Sequence, residues 1–283
     1  MSFLQNALLL GLIEAAPLIL AAMGFTLIYY LSGFINVAFS ETVTFGAFAA
    51  VILTSVLGLN FYAAIIPASL LAGGLSTLTY LGIYRPAERR GVDLTEMIIL
   101  SVGVSFALRY AALLLAGPDL YYFDTVSPNY YALFGVGITS FQIAALILVT
   151  ILASALYVFI YWTKLGEMIR ALADNRELAL ASGISPAKVS GLIWFIAGVV
   201  GGLAGVFYGV FSFVNTYVGW NLILIIMMVS IVGGIGSIRG AIVTSLIVGI
   251  LTSAVSLVLS PIYGEILLLS VFILYLKFRQ RKG

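Results

Sequence analysis

The chain has 283 residues, 63% of them hydrophobic and only 8% charged, with a formal net charge of +2. Soluble domains carry about 25% charged residues, so a soluble globular protein is excluded and a polytopic membrane protein is indicated. Cysteine and histidine are both absent, which excludes disulfides, thiolate sites and triads built on His or Cys; no metal, cofactor or nucleic-acid partner is expected.

Taken in chain order, apolar runs recur at about 18–25 residues, and about 20 helical residues cross the hydrocarbon. Nine spans are predicted, at 7–31, 41–58, 61–83, 95–116, 139–162, 189–213, 219–236, 238–259 and 262–278. The opening MSFLQNALLLGLIEAAPLIL has no basic n-region and too long an apolar run for a signal peptide, so it reads as a retained first span. The second and seventh runs are short. If one is re-entrant, the full crossings number eight. The expectation is an all-α fold of eight to nine transmembrane helices in a single domain, 1–283.

Basic residues set the orientation. Arg85, Arg89 and Arg90 lie between spans three and four, and Lys164, Arg170, Arg176 and Lys188 between five and six. Arg239 lies between seven and eight, and Lys277, Arg279, Arg281 and Lys282 end the chain. With nine spans all of these share one side. The opposite side carries the loop GPDLYYFDTVSPNYYALFGVG, with Asp119 and Asp124 and no base. The N-terminus is expected outside and the C-terminus in the cytoplasm. Tyrosines and tryptophans at the span ends, such as Tyr29, Tyr30, Tyr84, Tyr161 and Trp162, read as interfacial anchors.

Two glycine-rich segments follow. Span six contains Gly198, Gly201, Gly202, Gly205 and Gly209 at four-residue spacings, which let helix backbones approach closely in lipid. GGIGSIRGA at 233–241 lacks the Gly-Lys-Ser/Thr of a phosphate loop and reads as a tight turn between helices.

Residues 163–188, TKLGEMIRALADNRELALASGISPAK, form a polar island with seven of the 24 charged side chains. Leu165, Met168, Ile169 and Leu172 fall on one helical face. Asp174-Asn175 predicts a break and an N-cap for a second short helix. Gly183 predicts a left-handed stop, and Pro186 bars continuation. Four bases against three acids suit a helix docked on a cytoplasmic partner better than one lying on headgroups.

Here the motifs carry a resemblance. Glu177-Leu178-Ala179-Leu180-Ala181-Ser182-Gly183 fits the Glu-x-Ala-x-x-x-Gly coupling loop of ABC importer permeases. LGEMIRALADNRE, GFINVAFSE at 33–41, YRPAERRG at 84–91, LLLAGPD at 113–119 and VGGIGSIRGAIVTSLIVGIL resemble, in order, segments of the branched-chain amino-acid permease family (LivH/LivM type). The likeness spans nearly the whole chain. It implies a transmembrane permease subunit of an ATP-driven importer in the plasma membrane. A second permease subunit, the same or a related chain, would complete the pathway. Cytoplasmic ATPase subunits would hydrolyse ATP and an extracytoplasmic solute-binding protein would deliver the solute, so the chain itself is expected not to be an enzyme. On this likeness Arg170, Asp174, Glu177, Ala179 and Gly183 are the coupling residues. The solute implied is a branched-chain or other hydrophobic amino acid. Phe39 and Ser40 depart from the family's His-Gly, Thr252-Ser253 from its Glu-Asn, and KFRQRKG from its C-terminal tail, which leaves other small polar solutes such as urea or short amides open.

Ionisable residues inside a span each need an account. Glu14 and Arg109 lie within spans and Glu41 at a span start, beside the polar break at Asn36. Arg109 is expected either to pair with Glu14 or to line the pathway. Asn36, Glu41 and Arg109 are expected to face the pathway, supplying both charges that a zwitterion needs. A stand-alone secondary transporter or channel is the alternative reading. A membrane-embedded enzyme finds no paired carboxylates or His cluster to work with.

Overall fold

The computed structural model describes residues 3–123, 129–133, 136–234 and 236–280; Asp124, Arg281 and Lys282 lie outside them. In chain order the helices are α1 (Phe3–Ser32), α2 (Phe39–Val51), α3 (Phe61–Thr79), α4 (Arg85–Arg89), α5 (Leu94–Ala116), α6 (Ser140–Trp162), α7 (Lys164–Asp174), α8 (Arg176–Ala181), α9 (Pro186–Phe211), α10 (Val218–Val232), α11 (Ile238–Ser256) and α12 (Pro261–Gln280). A π-helical turn, Ile52–Val56, extends α2, and a second, Tyr80–Tyr84, joins α3 to α4.

All nine predicted apolar segments are helical, and among the described residues seven helices are long and apolar enough to cross a membrane. The second span, short in sequence, reaches 18 residues through its π turn. The seventh, α10, stays short: its 15 residues rise about 22 Å against a hydrocarbon core of about 30 Å. The ninth, expected at 262–278, lies within α12.

The fold is all-α, with one short hairpin in a connecting loop. Between α5 and α6, strands β1 (Tyr130–Leu133) and β2 (Val136–Thr139) pair antiparallel, with Tyr130 opposite Thr139 and Leu133 opposite Val136. Tyr, Val, Ile and Thr favour a pleated surface, a preference hidden when the run is read only as an interfacial loop. The hairpin leads into α6 through a capping box: Thr139 Oγ1 accepts from the Gln142 amide, and the Gln142 side chain accepts from the Thr139 amide. Asp93 and Glu96 build the same device at the start of α5.

Helix α9 is the hub, packed against α1, α2 and α3. Its glycines explain how. A methyl at Gly198 would sit 2.5 Å from Ser76 Cβ, and one at Gly202 would strike Ala72, so this row meets α3. A methyl at Gly201 would sit 2.7 Å from the Phe39 ring, and one at Gly205 would strike the Val43 carbonyl, so the adjacent row meets α2. At Gly209 it would lie 2.6 Å from Val214 Cγ2. Two rows offset by three residues thus seat one helix in the groove between two others. The Ser76 hydroxyl, donating to the Trp194 carbonyl at 2.8 Å, ties α3 to α9 as well. By contrast α5, α6 and α11 are the least buried of the seven long helices, at 22%, 22% and 28%, as expected of helices with one side toward lipid or another subunit.

Candidate coupling elbow, buried ion pair and cavity

The polar island folds as a two-helix elbow. Thr163 caps α7, its hydroxyl accepting from the Gly166 amide at 3.0 Å. Asn175 leaves the helical region at φ −152° and its side chain accepts from the Leu178 amide at 3.0 Å, which ends α7 and starts α8. Gly183, at φ +82°, closes α8 in the left-handed region, with the Ile184 amide donating back to the Ala179 carbonyl at 3.0 Å. Pro186 is the first residue of α9. Break, cap and stop therefore fall where their side-chain chemistry puts them.

The predicted apolar face of α7 divides in two. Ile169 and Leu172 are buried, whereas Leu165 and Met168 remain exposed. On α8, Ala179 is buried while Leu178 and Leu180 are 66% and 52% exposed. Asp174 and Glu177 are exposed beside them. Arg170 is committed inward: its Nη1 donates to the Ile160 carbonyl and its guanidinium stands 5.9 Å from the Tyr161 ring centre, so it fastens α7 to the end of α6. Arg176 reaches across to Glu88 at 3.0 Å, linking the elbow to α4.

The intramembrane charges are arranged differently from expectation. Arg109 pairs with Glu41, not with Glu14. Its Nη2 lies 2.7 Å from Glu41 Oε1, and both side chains are 4% exposed. The same oxygen accepts from Arg109 Nε at 3.2 Å and from the Ser105 hydroxyl at 2.7 Å. Above the guanidinium lies the Trp220 ring of α10, 3.8 Å from Cζ to ring centre, a close cation–π contact. One turn before Ser105 on α5, the Ser101 hydroxyl accepts from the Val37 amide at 3.0 Å. Ser101, Ser105 and Arg109 thus form one fully buried stripe on α5, applied to the break between α1 and α2. Irregular backbone at membrane depth needs such internal partners. Sequence reasoning missed both serines. Their four-residue spacing ahead of Arg109 was the available signal.

Asn36 is buried too, but its partner is Tyr84, whose hydroxyl donates to Asn36 Oδ1 at 3.0 Å. Asn36, Glu41 and Arg109 therefore do not stand as free polar groups along one passage. Phe39, where the family pattern has His, is buried with its ring against Gly24 and Gly201. Ser40 donates to the Val37 carbonyl at 2.8 Å.

A cavity of about 360 Å³ opens elsewhere, between α1, α9, α10, α11 and α12. Glu14 and Glu265 line it together with Tyr208, Ser212, Thr252 and Ser256, against an apolar wall that includes Leu18, Leu222 and Leu268. Neither Asn36, Glu41 nor Arg109 is in its lining. Glu14 thus acquires a place that the sequence reading left undecided, and the Thr252 departure falls inside the cavity.

Residues 7–276 match the family described as branched-chain amino acid transport system / permease component. The chain is 30% identical to the high-affinity branched-chain amino acid transport system permease protein LivH of Escherichia coli K12, over 91% of this chain and 87% of that one. It is 27% identical to the corresponding permease protein BraD of Pseudomonas aeruginosa, over 95% and 92%. Among solved structures, PsaBC from Streptococcus pneumoniae in complex with Fab aligns with a TM-score of 0.49 and 18% identity, over 97% of this chain and 91% of that one.

Proposed function

This chain belongs to the branched-chain amino acid transport permease family, a family of transport subunits and not of enzymes, and from that premise we propose how it works. It is a multi-pass membrane permease of an ATP-binding-cassette importer. Its place is the plasma membrane, N-terminus outside and C-terminus in the cytoplasm. It pairs with a second permease subunit, takes solute from an extracytoplasmic binding protein and receives the ATPase stroke from cytoplasmic subunits. The solute is an amino acid with an apolar side chain, the class for which its relatives are named.

The observation that carries the ATPase reading is the outward face of the elbow. Leu178 and Leu180 are exposed, as are Asp174 and Glu177 just before them, on helices of 11 and 6 residues, too short to cross lipid, as an amphipathic helix seated in a partner's groove requires. Roles within the elbow divide. Asp174, Glu177 and the two leucines touch the ATPase. Ala179 and Gly183 fix the shape of α8, and Arg170 transmits movement into α6. The solute's passage runs by the cavity, where Glu14 and Glu265 supply negative charge for an ammonium group and the leucine wall receives a side chain. Glu41 and Arg109 act one layer back, holding α5 against the broken segment.

Glu177→Lys and Gly183→Asp test the docking. With membrane insertion normal, both are expected to lower substrate-stimulated ATPase activity of the reconstituted importer by about tenfold, the size of one lost charge-assisted contact. Unchanged stimulation in both would remove the elbow from the coupling route. Uptake by Glu14→Gln and Glu265→Gln variants separates the cavity from the elbow, since those changes leave ATPase docking intact.

A further inference from the structure

Where α4 meets the elbow lies a second polar cavity, about 340 Å³, lined by Arg85, Glu88, Arg89, Arg176, Tyr80 and Pro186 among others. Three guanidinium groups and one carboxylate share its wall. The carboxylate, Glu88, is taken by Arg176. Arg85 and Arg89 have no ion pair among the described residues. Moreover, Arg85 Nε is buried without any hydrogen-bond partner. A buried guanidinium N–H normally finds an acceptor, so Arg85 Nε is a donor available to an anion that enters this wall. Below the arginines the same helical rod turns apolar and outward: Leu71, Leu78 and Leu81 are about half exposed or more. Basic residues at the end of an outward apolar stripe stand at headgroup depth.

We propose that this cavity binds the phosphodiester of an anionic phospholipid, with Arg85 and Arg89 on the phosphate oxygens and the acyl chains along the leucines of α3. Guanidinium forks match phosphate oxygens in pairs, and basic pockets between membrane helices take anionic headgroups. Because Arg176 belongs to α8, the lipid would brace the elbow against α4. This site stands apart from the solute reading, since it needs neither the carried solute nor the larger cavity.

The test is native mass spectrometry of the detergent-purified chain after exchange with phosphatidylglycerol or phosphatidylcholine. Wild type is expected to retain phosphatidylglycerol over phosphatidylcholine, and Arg85→Gln/Arg89→Gln to lose that preference by about tenfold or more. The equally discharged Lys164→Gln/Lys277→Gln control is expected to keep it. Arg85→Lys/Arg89→Lys, which conserves charge without the fork, should fall between the two and guards against a folding defect. Equal loss in the control, or no preference in wild type, overturns the proposal. Displacement of the lipid by millimolar inorganic phosphate overturns the lipid in favour of a free anion. Retention of lipid by the Gln variant with loss of a copurifying ATPase overturns it in favour of a protein contact.

Discussion

At the residue scale, the ion pair of Glu41 and Arg109 governs what the broken segment can do. A charge buried in protein and lipid is tolerated only with its partner, and removing one partner leaves the other uncompensated. Arg109→Ala is therefore expected to cost about 3–5 kcal/mol, read as thermal or denaturant unfolding of the purified chain. Glu41→Gln combined with Arg109→Met should recover most of that loss. If the double variant is no better than the single one, the pair is not the source of the stability. Here the sequence was half legible. It singled out both charges as anomalies but assigned them to solute, because a linear string does not reveal that residues 68 positions apart answer each other. Asn36 was flagged for the same reason, and its partner Tyr84 was read only as an interfacial ring.

At the scale of elements, the glycines of α9 were legible as a packing stripe, since small residues at four-residue spacing have one main use in a membrane helix. What the spacing could not say is that two rows serve two neighbours. Gly205→Ala is expected to destabilise by about 1–3 kcal/mol, because a methyl there meets the backbone of α2 and overpacking is not relieved by a rotamer change. Gly74→Ala on α3 is the contrast. A methyl there meets nothing within 4 Å, so the gain in helix propensity of about 0.5–1 kcal/mol should emerge. Comparable unfolding curves for the two alanine variants would refute the close-packing account. The elbow was the most legible element of all. Its caps and its stop are local chemistry, written in Thr163, Asn175 and Gly183, and owe little to the rest of the fold. The hairpin was not legible, since four-residue strands beside a long apolar helix give too short a period to stand out.

For the whole molecule, the absence of cysteine makes topology directly measurable. A single cysteine at Asp119 is expected to react with a membrane-impermeant maleimide added outside intact cells, and one at Glu177 only after the membrane is opened. The reverse pattern would invert the orientation and place the elbow beyond the reach of a cytoplasmic ATPase. The large-scale plan, a string of apolar helices with one polar elbow, follows from composition and periodicity. The layout of cavities does not, because each is bounded by helices far apart in sequence: Glu14 on α1 and Glu265 on α12 share a wall although nearly the entire chain separates them.

The π turn at Tyr80–Tyr84 gives this architecture a phase setting. An α-helix advances about 100° per residue, and a π turn absorbs one extra residue without breaking the rod. Upstream, Ala72 and Ser76 face α9; downstream, Arg85 and Arg89 face the elbow. Both registers hold because the wide turn resets the angle between them. Deleting a single residue there would leave an uninterrupted helix with its arginines on nearly the same face, whereas winding every residue of the turn as α-helix would swing them about 100° around the axis, so the indexing of one end of the rod to the other depends on how that one-residue surplus is wound.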